Sequence, residues 1–379
     1  MKKGWQQATL KDLCVVDWGN TSLTKASYVE NGKFLAVSAA GCDGRIGYKE
    51  HSKHTPVLSA IGAQCGKMFF PDEDFTAIKN TITLTPRDGK CTGRFLYYLL
   101  TFVELPQRGA GQPFISKGDI QSFSVTLPSL PQQKRIVGIL DEAFAAISKA
   151  KANAEKNLQN ARELFESYLQ GVFANPGEGW EEKKIKEVCE LKSGTTITPS
   201  LERNEGDVLY TKVADMNLPE NLIEINTSSR FVNSNEIKKN QIIPEGAVIF
   251  PKRGGAIATN KKRKIVKPTI VDLNTMAIIP GRKIDKDFFF HWFQLIDLSD
   301  ISNGTSIPQI NNYSFDEVHI PYPSSLSEQR SIVAKLDALS AETKKLEAIY
   351  QQKIAALEAL RKSLLNQAFK GELTREKRQ

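Results

Sequence analysis

Residues 129–173 read SLPQQKRIVGILDEAFAAISKAKANAEKNLQNARELFESYLQGVF, and residues 325–369 read SLSEQRSIVAKLDALSAETKKLEAIYQQKIAALEALRKSLLNQAF. They align at a constant offset of 196 without a gap, and fourteen of the forty-five pairs are identical, against roughly 3 by chance. Each stretch opens on a capping-box pattern, Ser129-x-x-Gln132 and Ser325-x-x-Glu328, which can satisfy the first free amides of a helix. Pro131 is tolerated there because the first turn makes no intrahelical bond through its nitrogens. Stop signals follow at Asn175-Pro176-Gly177 and at Gly371. Between these limits a three-four spacing runs for about four heptads, which predicts a coiled-coil seam. In the second stretch it comprises Leu336, Leu339, Thr343, Leu346, Tyr350, Lys353, Leu357, Leu360 and Leu364. The same register in the first gives Leu140, Ala143, Ile147, Ala150, Ala154, Asn157, Ala161, Leu164 and Tyr168. Asn157 and Lys353 share one seam position, where a polar residue can fix register. No third long periodic segment exists to complete a bundle. The two helices are therefore expected to pair with each other, in a molecule that grips a partner at two places.

The segments before the helices repeat more weakly. Trp5 and Trp180 lead similar stretches, TLKDLCVVDWGNTSLT and KIKEVCELKSGTTIT, and Phe95-Leu96-Tyr97-Tyr98 answers Phe288-Phe289-Phe290-His291. GAGQPFISKGDIQSFSV sits against NGTSIPQINNYSFDEVHI. The second copy is longer, mostly between Leu209 and Val248. The organisation read from this is a first globular domain (1–128), a central helix (129–174), a second globular domain (175–324), a C-terminal helix (325–371) and a tail (372–379). Short β-branched runs at 57–61, 81–85, 208–213, 247–251 and 276–280 predict strands, and 93–103 and 285–297 predict single apolar-faced helices. The fold class is α/β, each domain built on a mixed twisted sheet with glycine-rich loops at 41–47 and 109–111. Phe288-Phe289-Phe290 is expected in the core rather than as a stacking platform.

A chain of 379 residues with 40% apolar and 25% charged residues has room for two such domains. No run of about 18 apolar residues exists, and Met1-Lys2-Lys3 leads into Gly4-Trp5 rather than an apolar signal core. The five cysteines are scattered without a Cys-x-x-Cys, which predicts reduced thiols in the cytoplasm. Cys14 and Cys189, at nearly equivalent places, are expected in the cores.

Charge carries the functional signal. The net charge is +8, and between Lys238 and Lys267 nine basic residues face one acid, Glu245. Lys252, Arg253, Lys261, Lys262, Arg263, Lys264 and Lys267, with the turn at Gly254, form a candidate phosphate-binding surface. Arg45, Lys49, Lys53 and Lys67, with His51 and His54, are the thinner equivalent in the first domain. These residues do not lie on an amphipathic helix, which disfavours a membrane surface. His51-x-x-His54 lacks the spacing of a helical zinc pair and a third ligand. Gly62-Ala63-Gln64-Cys65-Gly66-Lys67 is one residue short of a phosphate-binding loop and runs into Met68. No nucleophile elbow or dinucleotide fingerprint occurs. The reading is a chain that binds, without catalytic or metal site.

The order of elements resembles the specificity subunit of Type I restriction-modification enzymes, the HsdS family. The resemblance rests on LPSLPQQKRIVGILD and IPYPSSLSEQRSIVAKLD, each closing a domain and opening a long helix, and on the turns at Gly62 and Arg253-Gly254. It spans essentially the whole chain. It implies two target recognition domains that each read half of a bipartite double-stranded DNA site, and an antiparallel coiled coil that sets their spacing. It also implies two methylase subunits docked on the helices and restriction subunits joining through the complex. S-adenosylmethionine, Mg and ATP would belong to those partners, and this chain would hold no cofactor. The alternatives are a coiled-coil interaction scaffold, a self-contained enzyme, and the specificity subunit of a related fused methylase/nuclease system.

Overall fold

A computed structural model describes residues 4–304 and 306–373; the end of the expected tail lies outside the described residues. The chain divides into two compact units, Met1–Glu155 with Gln351–Gln379, and Lys156–Tyr350. The division falls inside both long helices, Leu130–Ala174 and Leu326–Phe369, rather than at their ends.

In the first unit, Cys14–Trp18, Thr81–Pro86, Val57–Ser59 and Met68–Phe69 form an antiparallel four-stranded sheet. Phe34–Ser38 lies between antiparallel Gly41–Ile46 and parallel Phe75–Ala77 in a separate, mixed sheet. A ribbon of Gln6–Thr9 and Ser124–Leu127 brings the ends of the globular segment together. The helix Gly93–Phe102, capped by Thr92, buries Phe95, Leu96, Tyr98, Leu99 and Leu100.

The second unit repeats this wiring. Cys189–Ser193, Thr275–Pro280 and Val248–Pro251 run in the same order, extended by Arg263–Ile265 and Glu224–Ile225. A three-stranded mixed sheet centres on Val208–Thr211, and Trp180–Lys184 pairs with His319–Pro323 as the closing ribbon. The expected single sheet per domain is thus two sheets and a ribbon, built from strands of two to six residues. The helix Lys286–Gln294 is capped by Asp285; Phe288 and Phe289 are fully buried, as expected of core aromatics, whereas Phe290 is half-buried with Lys264 5.4 Å over its ring. Cys14 and Cys189 are buried too, and desolvation pushes both thiols up to about 12.

The identities shared by the two long helices have physical causes. Gln133, with 1% exposure, donates to the carbonyls of Pro128 (3.0 Å) and Lys90 (3.3 Å) and accepts from the Thr92 amide (3.3 Å). Gln329 does the same with Pro323 (2.8 Å), Lys283 (2.9 Å) and the Asp285 amide (2.7 Å). One glutamine therefore ties each long helix to the start of a short one. Asp141 then accepts from the Tyr98 hydroxyl and from Arg94 (2.8 Å), while Asp337 pairs with His291 Nε2 (2.8 Å). At the far ends, Phe369 meets Phe95 edge-on at 5.5 Å and Phe173 meets Phe288 at 5.2 Å. Gln133→Ala takes this partner from the buried Pro128 carbonyl and from the more accessible Lys90 carbonyl and Thr92 amide, and should destabilise its unit by roughly 1–3 kcal/mol, the cost of one unpaired buried group. Denaturant unfolding of the full chain measures this, with the exposed neighbour Lys134→Ala expected within about 0.5 kcal/mol of wild type.

Within each unit the long helices pair antiparallel. In the first, the start of the central helix (Ile136, Leu140, Phe144, Ile147) packs on the end of the C-terminal one (Leu365, Ala368, Phe369). Arg361 lies 4.9 Å over the Phe144 ring, and Lys151 Nζ meets Glu358 at 2.6 Å. In the second, Leu169 and Phe173 pack with Val333 and Leu336, and Arg162 bonds Glu347 at 3.0 Å. The sevenfold set Leu140, Ile147, Ala154 and Ala161 is buried as expected. The intervening positions are corrected by one residue: Phe144 is buried beside a half-buried Ala143, and Leu158 and Phe165 turn inward rather than the exposed Asn157 and Leu164. Leu164 (51% exposed) and Tyr168 (42%) lie off the seam, with Leu169 buried instead. In the C-terminal helix Leu336 and Thr343 are buried, and Leu339, Tyr350, Leu357 and Leu364 half-buried. Leu346 and Leu360 face outward, and Ile354 replaces Lys353. Asn157 and Lys353 are both exposed and fix no register.

Candidate nucleic-acid interface

Each domain presents two apposed loops on one backbone frame. After Val57–Ser59 the chain turns at Gly62 (φ 100), whose N–H donates to the Pro113 carbonyl at 2.9 Å. After Val248–Pro251 it turns at Gly254 (φ 70), whose N–H donates to the Pro308 carbonyl at 2.8 Å. The opposing loops are closed by paired backbone bonds, Arg108 with Phe114 (2.9 and 2.8 Å) and Asn303 with Gln309 (2.7 and 2.8 Å). Their tight bends sit at Gly109 (φ 85) and Gly304 (φ 101), where a Cβ would come within 2.6 Å of the Gln112 carbonyl oxygen and 2.9 Å of that of Ile307. Those positions need glycine for both the dihedral and the space.

The frame is shared, but the side chains on it are not. Ile61 in one domain answers Arg253 in the other, Arg108 answers Asn303, Gln112 answers Ile307 and Phe114 answers Gln309. Phe114 is 39% exposed and Ile307 64%. Apart from Arg253, none of these stood among the residues singled out from sequence. The signal that could have found them is the matched Gly-x-x-x-Pro of 109–113 and 304–308.

The basic candidates divide. Lys262 is 2% exposed, with its ammonium on the Ile296 carbonyl (2.5 Å) and Asn260 Oδ1 (3.0 Å), 5.2 Å over the Phe293 ring. Burial pushes its pKa down to about 8, despite the opposing pull of Asp297. Arg263 is also buried, bonding the carbonyls of Lys262 (2.8 Å) and Met216 (3.2 Å), with its Nε unpartnered. These two are corrected from surface to interior: Arg263 is turned inward at the head of the strand Arg263–Ile265, and Lys262, just before it, is drawn in by the Ile296 carbonyl and Asn260. Lys264 is engaged by Glu224 (2.9 Å) and Asp287 (3.0 Å). Lys261 bonds Asn217, and Lys267, exposed, bonds the Asn226 carbonyl at 2.7 Å. Lys252 is half-buried with its Nζ 3.0 Å from Ser193 Oγ, and desolvation, helped by neighbouring Arg253, lowers its pKa. In the first domain Arg45 pairs with Glu73 and Lys49 with Asp74, while Lys53 and Lys67 are exposed. Exposed ion pairs of this kind hold their cations only weakly. Among the described residues no cluster of histidine, cysteine and carboxylate could hold a metal.

The curated proteins and solved structures bear on the same architecture. The chain is 27% identical over 402 residues to the EcoDI Type I restriction enzyme specificity subunit of Escherichia coli, covering 95% of this chain and 89% of that one. It is 23% identical to the MjaVIII specificity subunit of Methanocaldococcus jannaschii, over 82% and 77% of the two chains. The crystal structure of the HsdS subunit from Thermoanaerobacter tengcongensis superposes with a TM-score of 0.59 at 19% identity, and covers 98% of both chains. A chain from a structural study of assembly and conformational transition in a type I restriction-modification system reaches 0.76 at 18% identity and the same coverage. Residues 2–156 and 177–358 match the family model of the Type I restriction modification DNA specificity domain. With two repeats of that domain, each ending in a fastened long helix, this chain belongs to the family of Type I restriction-modification DNA specificity subunits.

Proposed function

We propose that each globular domain reads one half of a bipartite double-stranded DNA target, while the paired long helices set the spacer and dock two methylase subunits. The observation that carries this is the duplicated loop frame, identical in backbone bonds and different in the side chains shown. Two copies of one reader with different faces suit two different half-sequences. A single chain that engages both gains affinity multiplicatively only when their separation is fixed. Docking is supported by apolar side chains on the helices outside the pairing seam, among them Leu164, Tyr168, Ile349 (55% exposed) and Leu360.

The specificity subunit is non-catalytic; methylation and cleavage belong to the partner subunits. In this reading S-adenosylmethionine, magnesium and ATP are used by those partners, with the restriction subunits joining through the complex. No helix among the described residues is long and apolar enough to cross a membrane, and a DNA target suits a cytoplasmic protein.

The test is the salt dependence of DNA binding by the full chain with its methylase partner. A coiled-coil scaffold of non-DNA modules predicts no salt-dependent binding at all. In the reader, Lys261→Gln with Lys267→Gln should weaken binding to every sequence and reduce the log–log salt slope by about 1 per lost contact. Lys262→Gln, at a buried position, should leave that slope unchanged while lowering stability.

A further inference from the structure

The loop frame separates what the two domains share from what they do not, and Arg253 is its most informative difference. With the Gln309 amide oriented so that its oxygen faces the guanidinium, Oε1 accepts from Arg253 Nε at 2.8 Å and Nη2 at 2.9 Å. That bidentate contact occupies one edge of the planar group. The terminal edge, with one N–H on each of Nη1 and Nη2, points away from Gln309. The partner is a neutral amide, so the guanidinium keeps its full charge while losing rotamer freedom. The side chain is exposed. It borders a concavity of about 220 Å³ lined by Lys252, Arg253, Leu273, Gln309, Ile310 and Asn311, with two cations and no carboxylate among them. Lys252 is tied back to Ser193 and leaves the opening to Arg253.

We propose that Arg253, oriented by Gln309, reads a guanine in the half-site bound by the second domain. A fixed guanidinium edge matches the paired O6 and N7 acceptors that guanine shows in the major groove. The contrast with the first domain favours a base over a phosphate. Both domains meet the same duplex backbone, so a phosphate-positioning residue should recur at equivalent places in the frame. Here the pair Arg253 and Gln309 is replaced by Ile61 and Phe114, joined by the same antiparallel bridge. An apolar pair cannot supply two donors, and it suits contact with a thymine methyl.

This inference rests on the DNA-reading role, and the experiment separates the two. The full chain, purified with its methylase partner, is assayed on duplexes carrying every single base-pair change in its mapped target. Wild type should prefer guanine at one position of one half-site by about 5- to 150-fold, the range of a bidentate contact. Arg253→Ala should bring that preference toward parity, and leave the other positions unchanged. Gln309→Ala should weaken it at the same position only. Ile61→Arg combined with Phe114→Gln should create a guanine preference in the opposite half-site. A uniform loss of binding in Arg253→Ala with unaltered preference overturns the assignment in favour of a phosphate contact. A wild-type complex with no sequence preference overturns the DNA-reading role itself.

Discussion

Four residues inserted into each long helix, after Glu155 and after Tyr350, should leave both half-sequences of the target unchanged and lengthen the spacer by one or two base pairs. Each insertion adds about 6 Å of helix, close to two steps of about 3.4 Å along DNA. Four residues are also about one turn, so the pairing face is displaced by only about 40°, which local overwinding can absorb. The sites fall between two ion pairs, Lys151 with Glu358 in the first unit and Arg162 with Glu347 in the second, and disturb neither. Two residues in each helix would instead turn the following segment by roughly 200°, and detectable methylation should disappear. Genome-wide mapping of methylated adenines reads both outcomes. An unchanged spacer with undiminished activity in the four-residue variant would reduce the helices to docking elements.

Replacing residues 180–324 with the corresponding domain of a relative should switch one half-site completely and leave the other unaltered. The closing ribbon Trp180–Lys184 with His319–Pro323 gathers the ends of this segment, so the exchange cuts at a natural neck. The graft must still meet the fixed helix. Gln329 needs a backbone amide where Asp285 now begins the short helix, and Asp337 needs a donor where His291 stands. The first domain satisfies the equivalent aspartate with a tyrosine hydroxyl and an arginine, so the requirement is for a donor rather than for one residue type. Methylation mapping that showed both halves altered would contradict two independent readers.

Much of this organisation was legible in the sequence, because a repeat at constant offset records geometry directly. The identical glutamine, aspartate and phenylalanine of the two helices turn out to be the fasteners of both units. The finer seam was not legible. In a helix rich in alanine, spacings of three-four and four-three fit the same sevenfold set, and only packing selects Phe144 and Phe165 over Ala143 and Leu164. Nor could a basic run reveal its interior members. Lys262 and Arg263 stand among surface cations in sequence, but the strand pairing of Arg263–Ile265 and the acceptors Asn260 Oδ1 and Ile296 O decide which way they point. The display loops escaped for another reason: their function lies in backbone closure, and the chemistry on top of it differs between copies. Residue types alone mark such a site poorly, and two glycines four residues before a proline mark it well.

The separation between frame and display has a consequence for how such a chain can change over generations. The bonds that close the loops run between backbone atoms of 60–62 and 113–115 in one domain, and of 252–254 and 308–310 in the other. Substitution of an exposed displayed side chain such as Arg108, Gln112, Arg253 or Ile307 leaves those bonds in place. Drift at these positions is therefore close to neutral for folding while it rewrites what the molecule prefers. Novelty can accumulate in one half of the recognised word without remaking the frame, by exchange of a displayed residue and the neighbour that orients it, as Gln309 does Arg253.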